Sequence, residues 1–293
     1  MQSFCLRVAD HVFCIEAARD ILAGFPNYAP FVCSTPVIDP LFVLRIGDSA
    51  LPPLEGWSLF HTDKSDADMP RIEMYRRGEE WMFRISMYRD SETVTVLLCD
   101  AAMRHVALYG EPTRFAIDNA TMLFYAFTSA ACHTLLFHAS VIMRDHKGYL
   151  FLGHSGTGKS THSQQWLKAF PDAVLLNDDN PVVRVLEDGS AHVYGSPWSG
   201  KTPCYKNIEA PVAALVQLAQ APQNTIAPLR PARAYPYLLS SVSGMKMLPK
   251  EMDAIYDTLA LLLEHKPVFL LSCLPDTAAA QLCFTAINSY PES

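Results

Sequence analysis

The chain has 293 residues, 50% of them apolar and 18% charged, against roughly a quarter charged in an average soluble protein. Its 23 basic and 30 acidic side chains leave a formal charge of −7, and no lysine-rich run offers the footprint of a nucleic-acid binder. With 13 glycines and 21 prolines scattered and no internal repeat, composition excludes disorder and low complexity and predicts one or two domains around a large core.

The first hundred residues predict antiparallel sheet. Phe4, Leu6 and Val8 alternate with polar neighbours, as do Trp81, Phe83, Ile85 and Met87, the period of a half-buried strand. Gly78-Glu79 separates Ile72–Arg77 from the Trp81 strand as a hairpin turn, and Thr93–Cys99 is a β-branched run. Pro26–Pro40 and Leu51–Pro70 read as loops. Arg7 and Asp10 break the N-terminus before any apolar stretch develops, which is not a secretory signal. Cys5, Cys14, Cys33, Cys99, Cys132, Cys204, Cys273 and Cys283 show no CxxC pair and no zinc-ligand spacing. Their even number permits bridges, but most sit in apolar runs. The expectation is buried free thiols in a reducing, cytoplasmic protein.

After Pro112-Thr113, the segment from Arg114 to about Phe137 predicts a helix. Asn119 to Met143 carries no Asp, Glu, Lys or Arg, a length that could span a membrane. Its histidines, serines and threonines mark it instead as a buried helix followed by a buried strand. Ala139–Met143 and Tyr149–Leu152 are short apolar runs around the charged turn Arg144–Gly148. Ser160–Phe170 reads as a helix stopped by Pro171, and Ala173–Leu176 as a buried strand ending in Asn177-Asp178-Asp179. Pro181–Leu186 and His192–Tyr194 flank the turn Glu187-Asp188-Gly189, and Pro211–Leu218 is a further apolar run. Two helices close the chain, one after Pro249 with Met252, Ile255, Tyr256, Leu259, Leu262 and Leu263 at helical spacing. The other is capped by Asp276 and turns Leu282, Cys283 and Ile287 inward. The fold class expected is α/β (α+β overall): a mostly antiparallel β-rich domain over residues 1–110, of unknown role, and a nucleotide-binding domain over residues 111–293.

Gly153-His154-Ser155-Gly156-Thr157-Gly158-Lys159-Ser160 fits the Walker A pattern G-x-x-x-x-G-K-[ST], between an apolar run and a helical one. Successive backbone amides must point at a polyphosphate there, and side chains at Gly156 or Gly158 would block the approach or the turn. Lys159 then reaches the β and γ phosphates and the Ser160 hydroxyl can ligate Mg2+. The helix that follows adds its positive dipole end. Asp178 and Asp179 end the next strand. A parallel strand–helix–strand unit would bring that strand beside the first, with both carboxyl ends on one crevice. Two adjacent carboxylates there call for a cation or an incoming hydroxyl proton. The competing structural reading has one aspartate capping a turn before Pro181. Asp178 is favoured as base and Asp179 at the metal, with the two roles exchangeable. His138 precedes the loop's strand, where a lone histidine beside apolar residues is more often a core residue than a catalyst. Gly195–Lys201 is a second small-residue loop, either a plain connection or a lining of the site with Lys201 or Lys206 as a counter-charge.

With these residues in hand, the C-terminal half resembles the HPr kinase/phosphorylase superfamily, related in fold to phosphoenolpyruvate carboxykinase. The resemblance runs on His138, Gly153–Ser160, Leu175–Asp179 and the Gly195–Lys201 loop, covers about Phe137 to Leu229, and leaves out the N-terminal domain. It implies a phosphoenolpyruvate carboxykinase-like domain and an ATP- and magnesium-dependent kinase, acting on a hydroxyl of a peptide, protein or small metabolite. On the matching positions it implies Asp178 as base, Lys159 at the transferred group, His138 beside the phosphate, and Ser160 and Asp179 at the metal. Residues 153–161, Thr161 included, would hold the nucleotide. Thr161 stands where bacterial HPr kinases usually carry an acid, and their later glycine- and arginine-containing stretch is absent. The resemblance therefore does not extend to HPr as acceptor or to the phosphorylase reaction. The expected partners are nucleotide and hydroxyl acceptor, with neither nucleic acid nor membrane, and a homo-oligomer is compatible with the sequence. A nucleotide-binding regulatory or assembly module without transfer is the alternative. A GTPase or motor lacks support, since no Asn-Lys-x-Asp motif is present.

Overall fold

Period-two patterning in the N-terminal part builds one eight-stranded sheet, described here as a computed structural model. The strands are β1 (Gln2–Val8), β2 (His11–Ala17), β3 (Val43–Ile46), β4 (Ser58–Thr62), β5 (Pro70–Arg77), β6 (Glu80–Met87), β7 (Asp90–Cys99) and β8 (His105–Tyr109). They lie in the order β1-β2-β3-β8-β7-β6-β5-β4. All neighbours are antiparallel except β2–β3 and β3–β8. The structure describes every residue except 19–20, 34–36, 63–69, 88–89, 201, 245 and 292–293.

Helix α1 (Arg114–Ser129) packs its aromatic face on this sheet: Phe124 meets Phe42 and Phe83, and Tyr125 donates to Val8 O at 3.0 Å. By its internal contacts the chain divides into the units Met1–Thr128 and Ser129–Ser293, with all of α1 but its last residue in the first. The helix is also shorter than its apolar run. Ser129 Oγ donates to Thr134 O, His133 takes left-handed φ of 49°, and Thr134–Leu136 becomes a strand instead. One expectation about the thiols is corrected. The β1–β2 register sets Cys5 directly opposite Cys14 and the two form a disulfide. Of the free cysteines, Cys132 is exposed rather than buried. Among the described residues no helix is long and apolar enough to cross a membrane.

The second unit is a sheet with helices on both faces, so the described residues combine two sheets and five α-helices in a mixed α/β arrangement. Its strands are β9 (Thr134–Leu136), β10 (Ala139–Arg144), β11 (Lys147–Leu152), β12 (Val174–Asp179), β13 (Val182–Val185), β14 (Ala191–Tyr194), β15 (Glu209–Gln220), β16 (Thr225–Pro228) and β17 (Val268–Cys273). The helices are α2 (Lys159–Ala169), α3 (Pro231–Ser241), α4 (Pro249–His265) and α5 (Thr277–Asn288). Side chains of β10 and β11 alternate between two cores. Val141, Leu150 and Leu152 pack with Leu238, Ile255 and Leu259 of α3 and α4. Ile142, Tyr149 and Phe151 pack with Trp166 of α2 and Cys283 and Ile287 of α5. Asp276 caps α5, accepting from Ala279 N at 2.8 Å.

The strand order is β12-β10-β11-β15, with β17 on the far side of β15. The expectation that β12 returns directly beside β11 is therefore corrected. Asp145 and His146, at φ 50° and 59°, close a tight turn that folds β10 back on β11. That hairpin takes the edge β12 would have used. Because β10 is antiparallel to both, β12 and β11 still run in the same direction, as do β15 and β17. Four carboxyl ends, at Asp179, Leu152, Gln220 and Cys273, thus share one edge of the sheet.

At that edge the backbone is close-packed around Gly195, whose N–H donates to Ile208 O. A Cβ on Gly195 would stand 1.9 Å from Lys206 O, whereas one on Gly156 would meet nothing within 4 Å. We expect Gly195→Ala to cost about 3 kcal/mol or more in urea denaturation, well beyond the same change at Gly156, because backbone rather than a flexible side chain must move.

Candidate functional site

The loop Gly153–Gly158 leaves the end of β11 and enters α2 at Lys159. Its glycines are needed for conformation: Gly156 and Gly158 sit at φ 80° and 108°, with open space around the position of a Cβ. The demand at these two positions therefore comes from the turn and not from a neighbouring protein atom. His154, Ser155 and Gly156 are exposed at the tip, as are Ser160 and Thr161 on the first turn of α2. Thr157 turns inward against Gly153, and its N–H donates to His154 O.

Lys159 is 9% exposed and points back under the loop. Its Nζ donates to Gly153 O at 2.8 Å and to His138 Nε2 at 2.9 Å. An ammonium has only donors, so His138 Nε2 accepts and the imidazole proton lies on Nδ1, 3.1 Å from Asp179 Oδ1. Burial pushes the Lys159 pKa down, opposed by the charges of Asp179 and then Asp178. Loop lysine, histidine and acid pair therefore form one connected set.

The two aspartates face different neighbours. Asp179 Oδ1 meets His138 and its Oδ2 accepts from Asn180 Nδ2 at 2.8 Å. Asp178, 7% exposed, accepts at Oδ1 from Ser140 Oγ, its register partner on β10. Since that hydroxyl proton is given away, Ser163 on α2 must donate to Ser140 across 2.6 Å. The strand end is shaped by Asn177, fully buried, whose Oδ1 accepts from the N–H groups of Asp179 and Asn180 at 2.9 Å. Its Nδ2 donates to Ser196 Oγ, which ties in the second small-residue loop. Gly200 lies so close to Asp179 that a Cβ there would come within 3.1 Å. Lys206 is not a free counter-charge, because its Nζ donates to Leu175 O at 2.7 Å. Lys201 lies outside the described residues.

Ser160 makes no bond to either aspartate. Among the described residues no group of three or more His, Cys, Asp or Glu is arranged to hold a metal. Magnesium is commonly held by one or two carboxylates together with substrate phosphates and water, so a hydroxyl and one carboxylate beside a phosphate cradle fit such an ion. A cleft of about 540 Å³ adjoins the loop, lined by Thr157, Thr161 and His162, by Leu218 and Gln220 of β15, and by Cys273 of β17. A smaller hollow of about 300 Å³ lies on the first sheet beside Arg45 and His105. Arg45 and His105 there are already bonded to Glu16 and Asp100.

Sequence reasoning singled out the loop, Lys159, His138 and the aspartates. It missed Ser140, Ser163 and His162, whose roles depend on strand register and helix rotation. His162 is 3% exposed and accepts at Nε2 from Trp166 Nε1 at 3.0 Å, while its Nδ1 is buried without a partner among the described residues. An unsatisfied buried donor of this kind costs about 1–3 kcal/mol. The only hint in the sequence is the i, i+4 spacing of His162 and Trp166.

No known protein-family profile matches the chain, and no curated protein matches it. Among solved structures it is similar to the Hpr(Ser) kinase/phosphatase from Coxiella burnetii. That match has 13% sequence identity and a TM-score of 0.32, and covers 52% of this chain and 95% of that one. The relation is a distant structural one.

Burial pushes the His162 pKa down to about 4, with the charge of Asp276 opposing. The unfolded chain therefore takes up the proton more readily than the folded one. The stability this supplies is present above the ordinary value near 6.5 and is lost as pH falls through that value toward the folded one. Denaturation at about pH 7.5 and about pH 5 should show the wild type losing about 2 kcal/mol more than His162→Gln. Equal losses would show that His162 does not drive the acid sensitivity.

Proposed function

We propose that the second unit is an ATP- and magnesium-dependent kinase that moves a phosphoryl group to a hydroxyl, of a serine in a peptide or protein or of a small metabolite. The observation that supports it most is the unbroken line of contacts from loop to acid pair. Lys159 bridges Gly153 O and His138, and His138 meets Asp179. Phosphoryl transfer asks the protein chiefly for positioning and charge neutralisation, and these are the groups that supply both.

In this reading the loop amides and the N-terminus of α2 orient the phosphates, and Lys159 exchanges a carbonyl for a phosphate oxygen. His138 keeps the ammonium aimed while its own proton is held by Asp179. Ser160 and Asp179 would hold the magnesium ion, which would offset the negative charge of the phosphate oxygens. Asp178 orients the acceptor hydroxyl and takes its proton as the new O–P bond forms and the bond to the β-phosphate oxygen breaks. Ser140 fixes one Asp178 oxygen, and the other makes no hydrogen bond among the described residues. That leaves a lone pair for the acceptor. A nucleotide-binding module without transfer is the second reading, favoured by one observation: both oxygens of Asp179 are already held, by His138 and Asn180.

Incubation with labelled ATP, magnesium and cell extract should label an acceptor. Lys159→Ala and Asp178→Asn should each lower the rate by about a hundredfold or more. Undiminished transfer by Asp178→Asn would remove it as the base. A nucleotide-induced rise in Tm without product from any acceptor would favour the binding module.

A further inference from the structure

We propose that the cleft beside α2 takes the base of a nucleoside triphosphate, and that His162 reads this base through a hydrogen bond donated by Nδ1. The proposal rests on the phosphate-loop reading above and says where the rest of the nucleotide lies. The cleft of about 540 Å³ begins at Thr157, Gly158 and Thr161, so it is continuous with the phosphate cradle. Its far wall is made by Leu218 and Cys273 at the carboxyl ends of two parallel strands, an apolar surface suited to the face of a heteroaromatic ring.

His162 supplies the polar contact that such a pocket needs for orientation. Its ring is clamped edge-on by Phe151, with centroids 4.6 Å apart, and by the Trp166 Nε1–H bond to Nε2. Acceptance at Nε2 fixes the neutral tautomer, so Nδ1 carries the proton. That N–H is the buried, unpartnered donor noted above, on a residue lining the cleft. A ring nitrogen or carbonyl oxygen of a base is the complementary acceptor, and a triphosphate chain without a base cannot use the pocket.

The experiment is titration calorimetry of the full chain with magnesium complexes of ATP, GTP and inorganic tripolyphosphate. A glutamine amide reproduces the Nε2 position, so His162→Gln keeps an acceptor for Trp166 and loses the Nδ1 donor. Asparagine reproduces the Nδ1 position and restores that donor. We expect the wild type to bind ATP or GTP more tightly than tripolyphosphate. His162→Gln should weaken the preferred nucleotide about tenfold, the value of one modest hydrogen bond, and His162→Asn should recover most of it. Tripolyphosphate affinity should stay within about twofold throughout. The proposal is overturned if tripolyphosphate binds the wild type as tightly as both nucleotides, a comparison that needs no variant. It is also overturned if His162→Gln leaves nucleotide affinity unchanged or weakens tripolyphosphate equally. In these cases the phosphate cradle stands. If the wild type binds none of the three, the phosphate-loop reading falls as well.

Discussion

A lysine ammonium held almost out of water, between a loop carbonyl and a histidine, is the constraint on which the functional edge of this protein depends. Removing a cation from water is unfavourable, and here burial outweighs the attraction of Asp179 and Asp178 in setting the direction of the Lys159 pKa. Its hydrogen bonds to Gly153 O and His138 Nε2 are therefore required, and each reaches into a different element. The loop must turn through left-handed glycines to present its carbonyl. His138 must sit between β9 and β10, and β12 must end where its acids can act on the cation. A polyanion at the loop would favour the charged lysine more than the internal carbonyl does, which gives the proposed nucleotide a direct hold on this arrangement.

The sheet supplies the common edge. Four strands of one direction finish within reach of α2, and the antiparallel β10 between β12 and β11 leaves that direction unchanged while adding Ser140. Without β10, Asp178 would lack the hydroxyl that holds its Oδ1. The chain Ser163–Ser140–Asp178 fastens one acid to α2, and Asn177 fastens the turn that carries the other. The two carboxylates are thereby kept apart in environment although adjacent in sequence, one embedded and the other facing a histidine. Distinct surroundings for paired acids are what allow them distinct chemical parts.

Much of this was legible because it is local. The Gly78-Glu79 hairpin, the strand–loop–helix around Gly153, the acid pair ending β12 and the Asp276 cap each follow from a few neighbouring residues. What was not legible depends on partners far along the chain. The helix α3 was hidden by Pro236 in its interior, where proline usually argues against a helix. The turn between β10 and β11 was legible, but the pairing of β12 with β10 instead of β11 is a matter of sheet order that no neighbouring residues announce. The Cys5–Cys14 bridge needed the β1–β2 register. At the site, Lys159, His138 and the aspartates belong to motifs, whereas Ser140, Ser163 and His162 act through directions that only a folded sheet and helix assign.

His162 sharpens the point about direction. The face of α2 that buries Trp166 serves the core, and its first turn borders the loop, so the residue one turn before Trp166 lies where core and cleft meet. A side chain needed only for packing could be apolar there, with no buried N–H left over. A side chain needed only for solvent would not be enclosed by Phe151 and Trp166. Imidazole satisfies the tryptophan with one nitrogen and keeps the other in reserve, as expected of a wall residue whose second partner arrives with a ligand.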